Sequence, residues 1–166
     1  MPRKDFHKVV IGRAEQLHFM DVAIADVPAK VDTGAYRSAV HASDISLSED
    51  GSTLSFQLLG GHPVCGGLAT TITTSEFTKV WVANSFGHRE ERYEVQMRVK
   101  LGPKIFKSRF TLANRAKKIY PILLGRKLLN DRFFVDTSLS ALDRVELKQR
   151  YGIEFPKDEE EGRDNA

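Results

Sequence analysis

Apolar and polar residues alternate in several segments of the chain with a period of two, which is typical of half-buried β-strands. The longest alternating segments are residues 53–58, 91–101 and 105–112. Shorter apolar runs predict further strands at residues 8–13, 17–24, 27–31, 38–42 and 79–82. Because many short strands separated by turn signals are typical of all-β folds, this pattern predicts a β-barrel or a β-sandwich.

Turn-forming residues separate these predicted strands. Residues 49–52 and 102–103 predict tight turns, and residues 84–88 predict the tip of a hairpin. The glycines within residues 60–67 predict an irregular, mobile segment in the middle of the chain. This segment contains Cys65, and because no base or orienting group marks it as a nucleophile, we expect an inert cysteine in a flexible loop.

Helical periodicity appears only late in the chain. Residues 126–133 predict one short helix. Leu139, Leu142 and Val145 recur at helical spacing and predict a second helix over residues 138–147. The sequence therefore predicts a β-domain that ends in one or two short helices.

Length and composition predict a single domain. The chain has 166 residues, of which 41% are hydrophobic and 28% are charged, so it is long enough to bury a core. The end of the chain is polar and acidic, which predicts a domain over residues 1–155 and a disordered acidic tail over residues 156–166. No segment approaches the roughly 20 apolar residues of a membrane span, and the N-terminus lacks the apolar part of a signal peptide. Because a single cysteine also excludes an internal disulfide, we expect a cytoplasmic protein.

The net charge of +3 is distributed unevenly. No acidic residue lies between Glu94 and Asp131, an interval that is rich in lysine and arginine. A cationic surface attracts anionic partners and speeds their encounter, so this interval predicts an acidic partner. A solvated strand face is the alternative explanation. We expect no nucleic-acid partner, because no recognised nucleic-acid-binding motif accompanies these residues.

One short segment carries the strongest chemical signal. Residues 27–31 predict a strand that begins at Pro28 and runs directly into Asp32, Thr33 and Gly34. Glycine allows a backbone path that other residues avoid, and the threonine hydroxyl can bond a neighbouring amide. The turn is therefore expected to present the Asp32 carboxylate rigidly at the end of a strand. An ordinary strand-to-turn junction is the alternative, because these residues are common in turns.

A second segment changes the interpretation of the first. Residues 120–129 comprise an apolar stretch, then Gly125, then the predicted short helix, and we expect the strand to be buried on both faces. An apolar strand ending in Leu-Gly, following an Asp-Thr-Gly turn, resembles the retropepsin pattern. The resemblance implies that this strand pairs beside the turn and that Gly125 leaves space next to the catalytic loop. It also implies a closed, six-stranded acid-protease barrel.

Residues 30–42, 91–93 and 122–136 are similar to a bacterial family labelled ATP-dependent zinc proteases. Members of this family are retropepsin-like and are often associated with ATP-grasp ligases that add glutamate to proteins. The sequence contains neither a zinc-protease motif nor a phosphate-binding loop, so we expect no resident metal or nucleotide. A zinc site assembled from distant residues, such as His41 with Asp32, remains an alternative. Because the phosphate-binding loop is absent, any ATP dependence would have to come from a partner.

An aspartic peptidase needs two carboxylates about 3 Å apart that share one proton. This chain has one Asp-Thr-Gly, formed by Asp32, Thr33 and Gly34, which are the predicted catalytic residues. A homodimer would supply the second carboxylate across a two-fold axis, with Thr33 bonding across the two loops and Gly34 allowing their close approach. Asp136 is the alternative within the chain, although aspartate is also a routine turn residue.

The predicted function is therefore an aspartic-type endopeptidase that hydrolyses peptide or isopeptide bonds in acidic, glutamate-rich substrates. The candidate substrate-binding residues are Arg37, Ser38, His41 and Arg126. The hairpin at residues 84–88 is a candidate flap that excludes water from the site, and a plain surface loop is the equal alternative. Two alternatives stay open, namely a non-catalytic barrel that binds an acidic partner and a zinc-dependent hydrolase.

Overall fold

The structure is a computed structural model that describes residues 7–65, 67, 69–83 and 86–151. This part of the chain is mostly β. Its strands are β1 (Val9–Ile11), β2 (Ala14–Phe19), β3 (Ile24–Val31), β4 (Ser38–Leu47), β5 (Leu54–Leu58), β6 (Thr70–Thr74), β7 (Phe77–Ala83), β8 (Arg89–Leu101), β9 (Lys104–Ala113), β10 (Ile122–Leu124) and β11 (Phe133–Val135). Its helices are a 3-10 turn (Pro63–Cys65), α1 (Arg126–Leu129) and α2 (Arg144–Tyr151).

Six of these strands close into a barrel. Their order around the barrel is β10, β3, β2, β8, β9 and β4, and pairing of β4 with β10 completes the ring. Strand β10 lies parallel to β3 and antiparallel to β4. A closed barrel leaves no unpaired edge within the ring. The predicted six-stranded, retropepsin-like barrel is therefore confirmed.

Period-two alternation fills the barrel with apolar side chains. Leu17, Val40, Val99 and Phe110 are fully buried and come from four different strands of the ring. Phe110 also packs edge-to-face against Phe19, with ring centroids 6.2 Å apart. Removal of these side chains from water is the main driving force for closing the barrel.

Strand β10 differs from its prediction on one face. Ile122 and Leu124 are fully buried, as expected for a central apolar strand. Leu123, between them, is only half-buried and lines a surface cleft. The strand is therefore buried on one face, and its other face contributes an apolar side chain to the cleft floor.

The predicted continuous strand at residues 17–24 is wrong, because the chain turns there. Strand β2 ends at Phe19, which pairs with Ile24 at the start of β3. Ala23 adopts a positive φ of 52°, which completes the reversal. The sequence pattern did not predict this turn because Val22 is apolar and packs against the core. The apolar run therefore continues through the chain reversal.

Strand β4 is longer than the pattern predicts, and strand β6 is absent from the prediction. Strand β4 continues past residue 42 to Leu47, with an irregularity in its pairing to β5 between Ser43 and Ser46. Strand β6, which pairs with β5, was not predicted. Four of its five residues are threonine, so it lacks the alternation of apolar side chains that marks a half-buried strand.

Both predicted helices exist, but their bounds are wrong. Helix α1 has a single turn and ends at Leu129, after which Asp131 adopts a positive φ of 66° and the chain continues into β11. Helix α2 begins at Arg144, six residues later than predicted. Its start is set by Asp143, whose side chain accepts hydrogen bonds from the backbone amides of Val145 and Glu146.

The glycine-rich segment is packed rather than mobile, so this prediction is also wrong for its described residues. His62 and Val64 are only 1% and 2% exposed. A methyl group on Gly60 would lie 2.5 Å from the Ser43 hydroxyl. Cys65 is buried, and burial raises the pKa of its thiol to about 12, which keeps it protonated and unreactive.

Some predictions fall outside the described residues. They are the acidic tail at residues 156–166, the domain boundary at residue 155 and the first two residues of the predicted hairpin tip. Within the described residues, neither helix combines the length and the apolar character that crossing a membrane requires.

Candidate active site

Asp32 directly follows the last residue of β3, and strand β10 holds it in place. Val31 and Leu124 are partners in the parallel pairing of the two strands. The next backbone amide, that of Asp32, donates to the Leu124 carbonyl at 2.9 Å. The sequence expectation that the second apolar strand pairs beside the Asp-Thr-Gly turn is therefore confirmed.

The turn is tightened by the carboxylate itself. The Gly34 amide donates to Asp32 Oδ1 at 2.9 Å, and the Ala35 amide donates to the Asp32 carbonyl at 3.2 Å. Gly34 does not adopt a positive φ, so the expected special backbone path is wrong. An added Cβ would lie 3.2 Å from Asp32 Oδ1, so a larger residue at this position would require the carboxylate to shift slightly. The half-buried carboxylate is thus oriented by the backbone that follows it.

Thr33 lies at the exposed tip of this turn. Its carbonyl accepts a hydrogen bond of 3.1 Å from the Arg126 guanidinium. Its hydroxyl makes no hydrogen bond to the described residues, so the expected bond to a neighbouring amide within the chain is absent there. The hydroxyl is therefore available to a group outside this chain.

The short helix α1 holds the other end of the loop. The amides of Arg126 and Lys127 donate to the carbonyls of Ala35 and Tyr36 at 2.8 and 3.0 Å. These first helical amides have no partner within their own helix, and the loop carbonyls satisfy them. A methyl group on Gly125 would lie 2.5 Å from the Arg37 carbonyl, so Gly125 does leave the predicted space beside the loop.

Ser38 and His41 were predicted to bind substrate, but their burial does not fit direct contact. Ser38 is 1% exposed, and its hydroxyl accepts a bond of 3.0 Å from the Gly125 amide. His41 is 3% exposed, and both of its ring nitrogens bond backbone groups, those of Gly60 and Arg115. Both side chains therefore hold the loop and strand behind the site. With both ring nitrogens engaged, His41 also offers no lone pair for the alternative zinc site.

A cleft of about 640 Å³ opens in front of the Asp32 turn. Its volume is in the usual range for ligand sites. Asp32 and Leu123 line it together with Trp81 and Arg92 of the β7–β8 hairpin. The strands of this hairpin therefore line the same cleft as the aspartate, whereas residues 86–88, the described part of the predicted flap, are not among the lining residues.

Most charged side chains that line this cleft are cationic. They are Arg37, Arg92, Arg115 and Lys118, and Asp32 is the one carboxylate among the described lining residues. The sequence indicated Arg115 and Lys118 only as members of a long basic interval, and it did not single out Arg92. Their convergence beside an aspartate creates a site suited to an anionic ligand.

The position of Arg37 depends on a residue that the sequence did not reveal. Its Nη1 lies 2.6 Å from Oε2 of Glu94, a carboxylate that is only 3% exposed. Arg109 lies at 4.0 Å from the other carboxylate oxygen. The only signal in the sequence is an acidic residue beside Val95 in a long alternating strand. Because a buried carboxylate requires a cation, Glu94 constrains Arg37 to this edge of the cleft.

Arg126 lies beside the Asp32 turn and against Tyr36, which lines the cleft. Its guanidinium is 5.8 Å from the ring centroid of Tyr36, which is 54% exposed. Arg37 and Lys127 approach the same ring at 5.8 and 5.7 Å. The structure thus brings Asp32, Arg37 and Arg126 together on the accessible side, with Ser38 and His41 behind them.

Asp136, the alternative source of a second carboxylate within the chain, is a turn residue. Its Oδ1 accepts hydrogen bonds from the amide and hydroxyl of Ser138 at 2.9 and 2.6 Å, which lower the pKa of the carboxyl. Asp136 is not among the residues that line the cleft. Across the described residues, no group of three or more histidines, cysteines or carboxylates is arranged to hold a metal ion.

The chain is similar to known proteins over most of its length. A family model described as the retropepsin-like aspartic endopeptidase RimB (RimB-like) matches residues 10–146. A Desulfotalea psychrophila protein named probable alpha-L-glutamate ligase is 32% identical over 161 residues, which are 94% of this chain and 34% of that relative. A Shewanella halifaxensis protein of the same name is 29% identical over 159 residues, with shares of 91% and 34%. The chain thus spans about a third of the length of these relatives.

A solved structure has the same fold. The crystal structure of a Legionella pneumophila protein described as of unknown function (DUF785) matches with a TM-score of 0.64 and 27% sequence identity. The match covers 80% of this chain and 95% of the Legionella chain.

Replacing Gly125 by alanine should disturb the loop that carries Asp32. The new methyl group would meet the backbone carbonyls of Arg37 and Ala35 at 2.5 and 3.0 Å, and neither can move without shifting the loop. We expect a loss of about 1–3 kcal/mol in the free energy of unfolding, measured by urea denaturation. Gly67→Ala is the matched control, because a methyl group there meets nothing within 4 Å. Equal effects of the two substitutions would contradict the packing described here.

Stability should fall on mild acidification because of His62. Burial, and then the nearby His41, lower the pKa of His62 from 6.5 to about 4. Below pH 6.5 His62 therefore binds a proton in the unfolded chain but stays neutral in the folded chain. This difference in proton binding disappears below about pH 4, where both states are protonated. Between these limits the contribution of His62 should lower the free energy of unfolding by about 1.4 kcal/mol for each unit by which the pH falls.

Urea denaturation from about pH 7.5 to about pH 4.5 would measure this dependence. His62→Gln is the control, because it removes the titrating ring and keeps a side-chain amide that can donate a hydrogen bond. Its stability should vary less with pH than that of the unsubstituted chain. Identical pH profiles for the two proteins would contradict the assignment to His62.

Proposed function

The chain belongs to the RimB-like family of retropepsin-like aspartic endopeptidases, and we propose that it hydrolyses peptide or isopeptide bonds with Asp32 as the catalytic carboxylate. The observation that carries this proposal is the setting of Asp32. Its carboxylate is half-buried, is oriented by the Gly34 amide, and faces a cleft large enough for several residues of a peptide. A rigidly oriented carboxylate in a cleft is what activation of a water molecule requires.

The second carboxylate in this proposal is Asp32 of the partner subunit in a homodimer. The exposed position of Thr33 and its available hydroxyl support contact between two such turns. An isologous contact on a two-fold axis would bring the two aspartates together. The pair would share one proton, so that the ionised member deprotonates water while the protonated member donates to the substrate carbonyl oxygen. The two carboxyl groups would then titrate as a unit.

The proposed substrate is an acidic, glutamate-rich peptide. Four cationic side chains line the cleft, and two of them, Arg37 and Arg92, are paired with Glu94 and Glu90. Arg126 lies against Tyr36, which also lines the cleft. Arginine binds carboxylates through paired, charge-assisted hydrogen bonds, so such a cleft would favour glutamate side chains. The relatives named probable alpha-L-glutamate ligase support this substrate class, because a ligase of that name acts on glutamate. On the same ground we propose association with an ATP-grasp ligase.

A second candidate function is an acidic-peptide-binding barrel without catalysis. The observation in its favour is that Asp32 is the one carboxylate among the described residues that line the cleft. In this case the barrel would bind its partner as a monomer. The two candidates make different predictions for cleavage and for the oligomeric state.

Replacing Asp32 by asparagine should abolish cleavage and leave folding intact. The amide is similar in size but cannot take a proton from water, so we expect a rate loss of roughly 10³-fold. Cleavage of a glutamate-rich peptide would be followed by mass spectrometry, and the mass of the protein in solution by analytical ultracentrifugation. Asp21→Asn is the matched control, because this exposed aspartate lies on the β2–β3 turn. A fully active Asp32→Asn protein would contradict the peptidase proposal, and a fully active monomer would contradict the shared pair.

Binding of the acidic peptide should weaken as salt is added. The interaction joins partly exposed cations to substrate carboxylates, and ions in solution screen such pairs. We expect the dissociation constant of a labelled glutamate-rich peptide to rise at least about fivefold between about 0.05 M and about 0.3 M NaCl. A peptide of equal length with glutamine in place of glutamate is the control and should bind weakly at both concentrations. Salt-independent binding would contradict recognition by charge.

A further inference from the structure

One wall of the cleft contains no strand or helix. It consists of residues 114–120, here called the cleft wall, which connect β9 to β10 and bring Arg115 and Lys118 into the cleft. Within the wall, the Lys118 amide donates to the Arg115 carbonyl at 2.9 Å, and Arg115 Nε donates to the Tyr120 carbonyl at 3.0 Å. Two further backbone groups of the wall bond to histidine rings behind it.

The first ring is that of His41 on strand β4. Its Nδ1 lies 2.9 Å from the backbone nitrogen of Arg115. A backbone N–H can only donate, so Nδ1 is the acceptor and the ring proton lies on Nε2. Nε2 then donates to the Gly60 carbonyl at 2.8 Å. His41 therefore bridges the cleft wall and the segment after β5 as a neutral imidazole.

The second ring is that of His62, and it bonds the wall through its other nitrogen. The Val64 amide donates to its Nδ1 at 3.1 Å, so the ring proton again lies on Nε2. Nε2 donates to the Lys118 carbonyl at 2.9 Å. The two rings pack edge-to-face with centroids 5.2 Å apart. Both are almost completely buried, so water cannot easily replace either bond.

We propose that the buried pair His41 and His62 positions the cleft wall, and with it Arg115 and Lys118, for the carboxylates of an acidic peptide. This proposal rests on the substrate class proposed above. A neutral imidazole suits the task because a rigid ring presents one acceptor and one donor in fixed directions. Protonation of His41 would place a donor against the Arg115 amide, which is itself a donor, so His41 holds the wall only as a neutral ring. Protonation of His62 would instead place a donor against the Val64 amide and disturb the bond that orients its ring.

Two histidines that merely fill the core would tolerate substitution differently from two that hold the wall. The side-chain amide of asparagine lies near the position of Nδ1, and that of glutamine near the position of Nε2. His41 contacts the wall through Nδ1, whereas His62 contacts it through Nε2. Asparagine should therefore substitute for His41 and glutamine for His62, which reverses the preference between the two sites.

The test measures the affinity of a labelled glutamate-rich peptide for four single variants. We expect His41→Gln and His62→Asn to weaken binding roughly tenfold, the cost of losing one buried hydrogen bond that orders the wall. His41→Asn and His62→Gln should stay within about twofold of the unsubstituted protein. The proposal would be overturned if the same substituent, asparagine or glutamine, weakened peptide binding more at both sites. It would also be overturned if all four variants bound the peptide with equal affinity.

A second measurement does not depend on any peptide. In the unsubstituted protein, the Arg115 amide should exchange slowly with deuterium, and nitrogen NMR should find both rings neutral with the proton on Nε2. His41→Gln should accelerate exchange at Arg115, while His41→Asn should not. Fast exchange at Arg115 in the unsubstituted protein, or a proton on Nδ1 of either ring, would overturn the proposal. If the rings and exchange behave as expected but no glutamate-rich peptide binds, the proposed substrate class fails instead.

Discussion

The insertion of strand β10 between β3 and β4 is the constraint on which the rest of this structure depends. Its three residues close the barrel, because β4 and β3 would otherwise be unpaired edges. The Leu124 carbonyl receives the Asp32 amide, and the chain then continues through Gly125 into a helix whose first amides bind the loop carbonyls. Barrel closure and the orientation of the aspartate are therefore consequences of one short segment. A Cβ at Gly125 would clash with the backbone carbonyls of Arg37 and Ala35, so the segment could not pack against the Asp32 loop as it does.

Polar side chains behind the cleft act mainly on backbone groups. Ser38 bonds the Gly125 amide, and His41 and His62 bond the cleft wall. Buried polar groups must be paired, so these bonds join irregular segments into the barrel where no strand pairing exists. The buried carboxylate of Glu94 likewise fixes a side chain, because its ion pair with Arg37 holds that guanidinium at the cleft edge. The accessible surface in front can then concentrate cations around a single aspartate.

The same domain occurs in proteins of different length. It accounts for about a third of relatives named probable alpha-L-glutamate ligase and for 95% of a Legionella protein of similar fold. A closed barrel suits both arrangements, because its core lies inside the ring and needs no neighbouring domain to cover it. The Asp32 turn and the strand beside it both lie within residues 10–146, which the family model matches.

Local patterns in the sequence were enough to predict most strands and the Asp32 turn, because these features depend on near neighbours and on side-chain alternation. The space beside Gly125 was implied by the family resemblance instead, since this glycine packs against Arg37 and Ala35, which are distant in the chain. Patterns could not predict which side chains meet across the barrel. Arg37 and Glu94 are 57 positions apart, His62 and Lys118 are 56 apart, and His41 and Arg115 are 74 apart. Ser38 and His41 were candidates for substrate binding because they follow the Asp32 turn in the sequence, yet strand pairing buries them. The sequence by itself determined the all-β class and the candidate carboxylate, whereas only the tertiary structure decided which residues surround it, since contacts between distant positions leave no periodic signal in the chain.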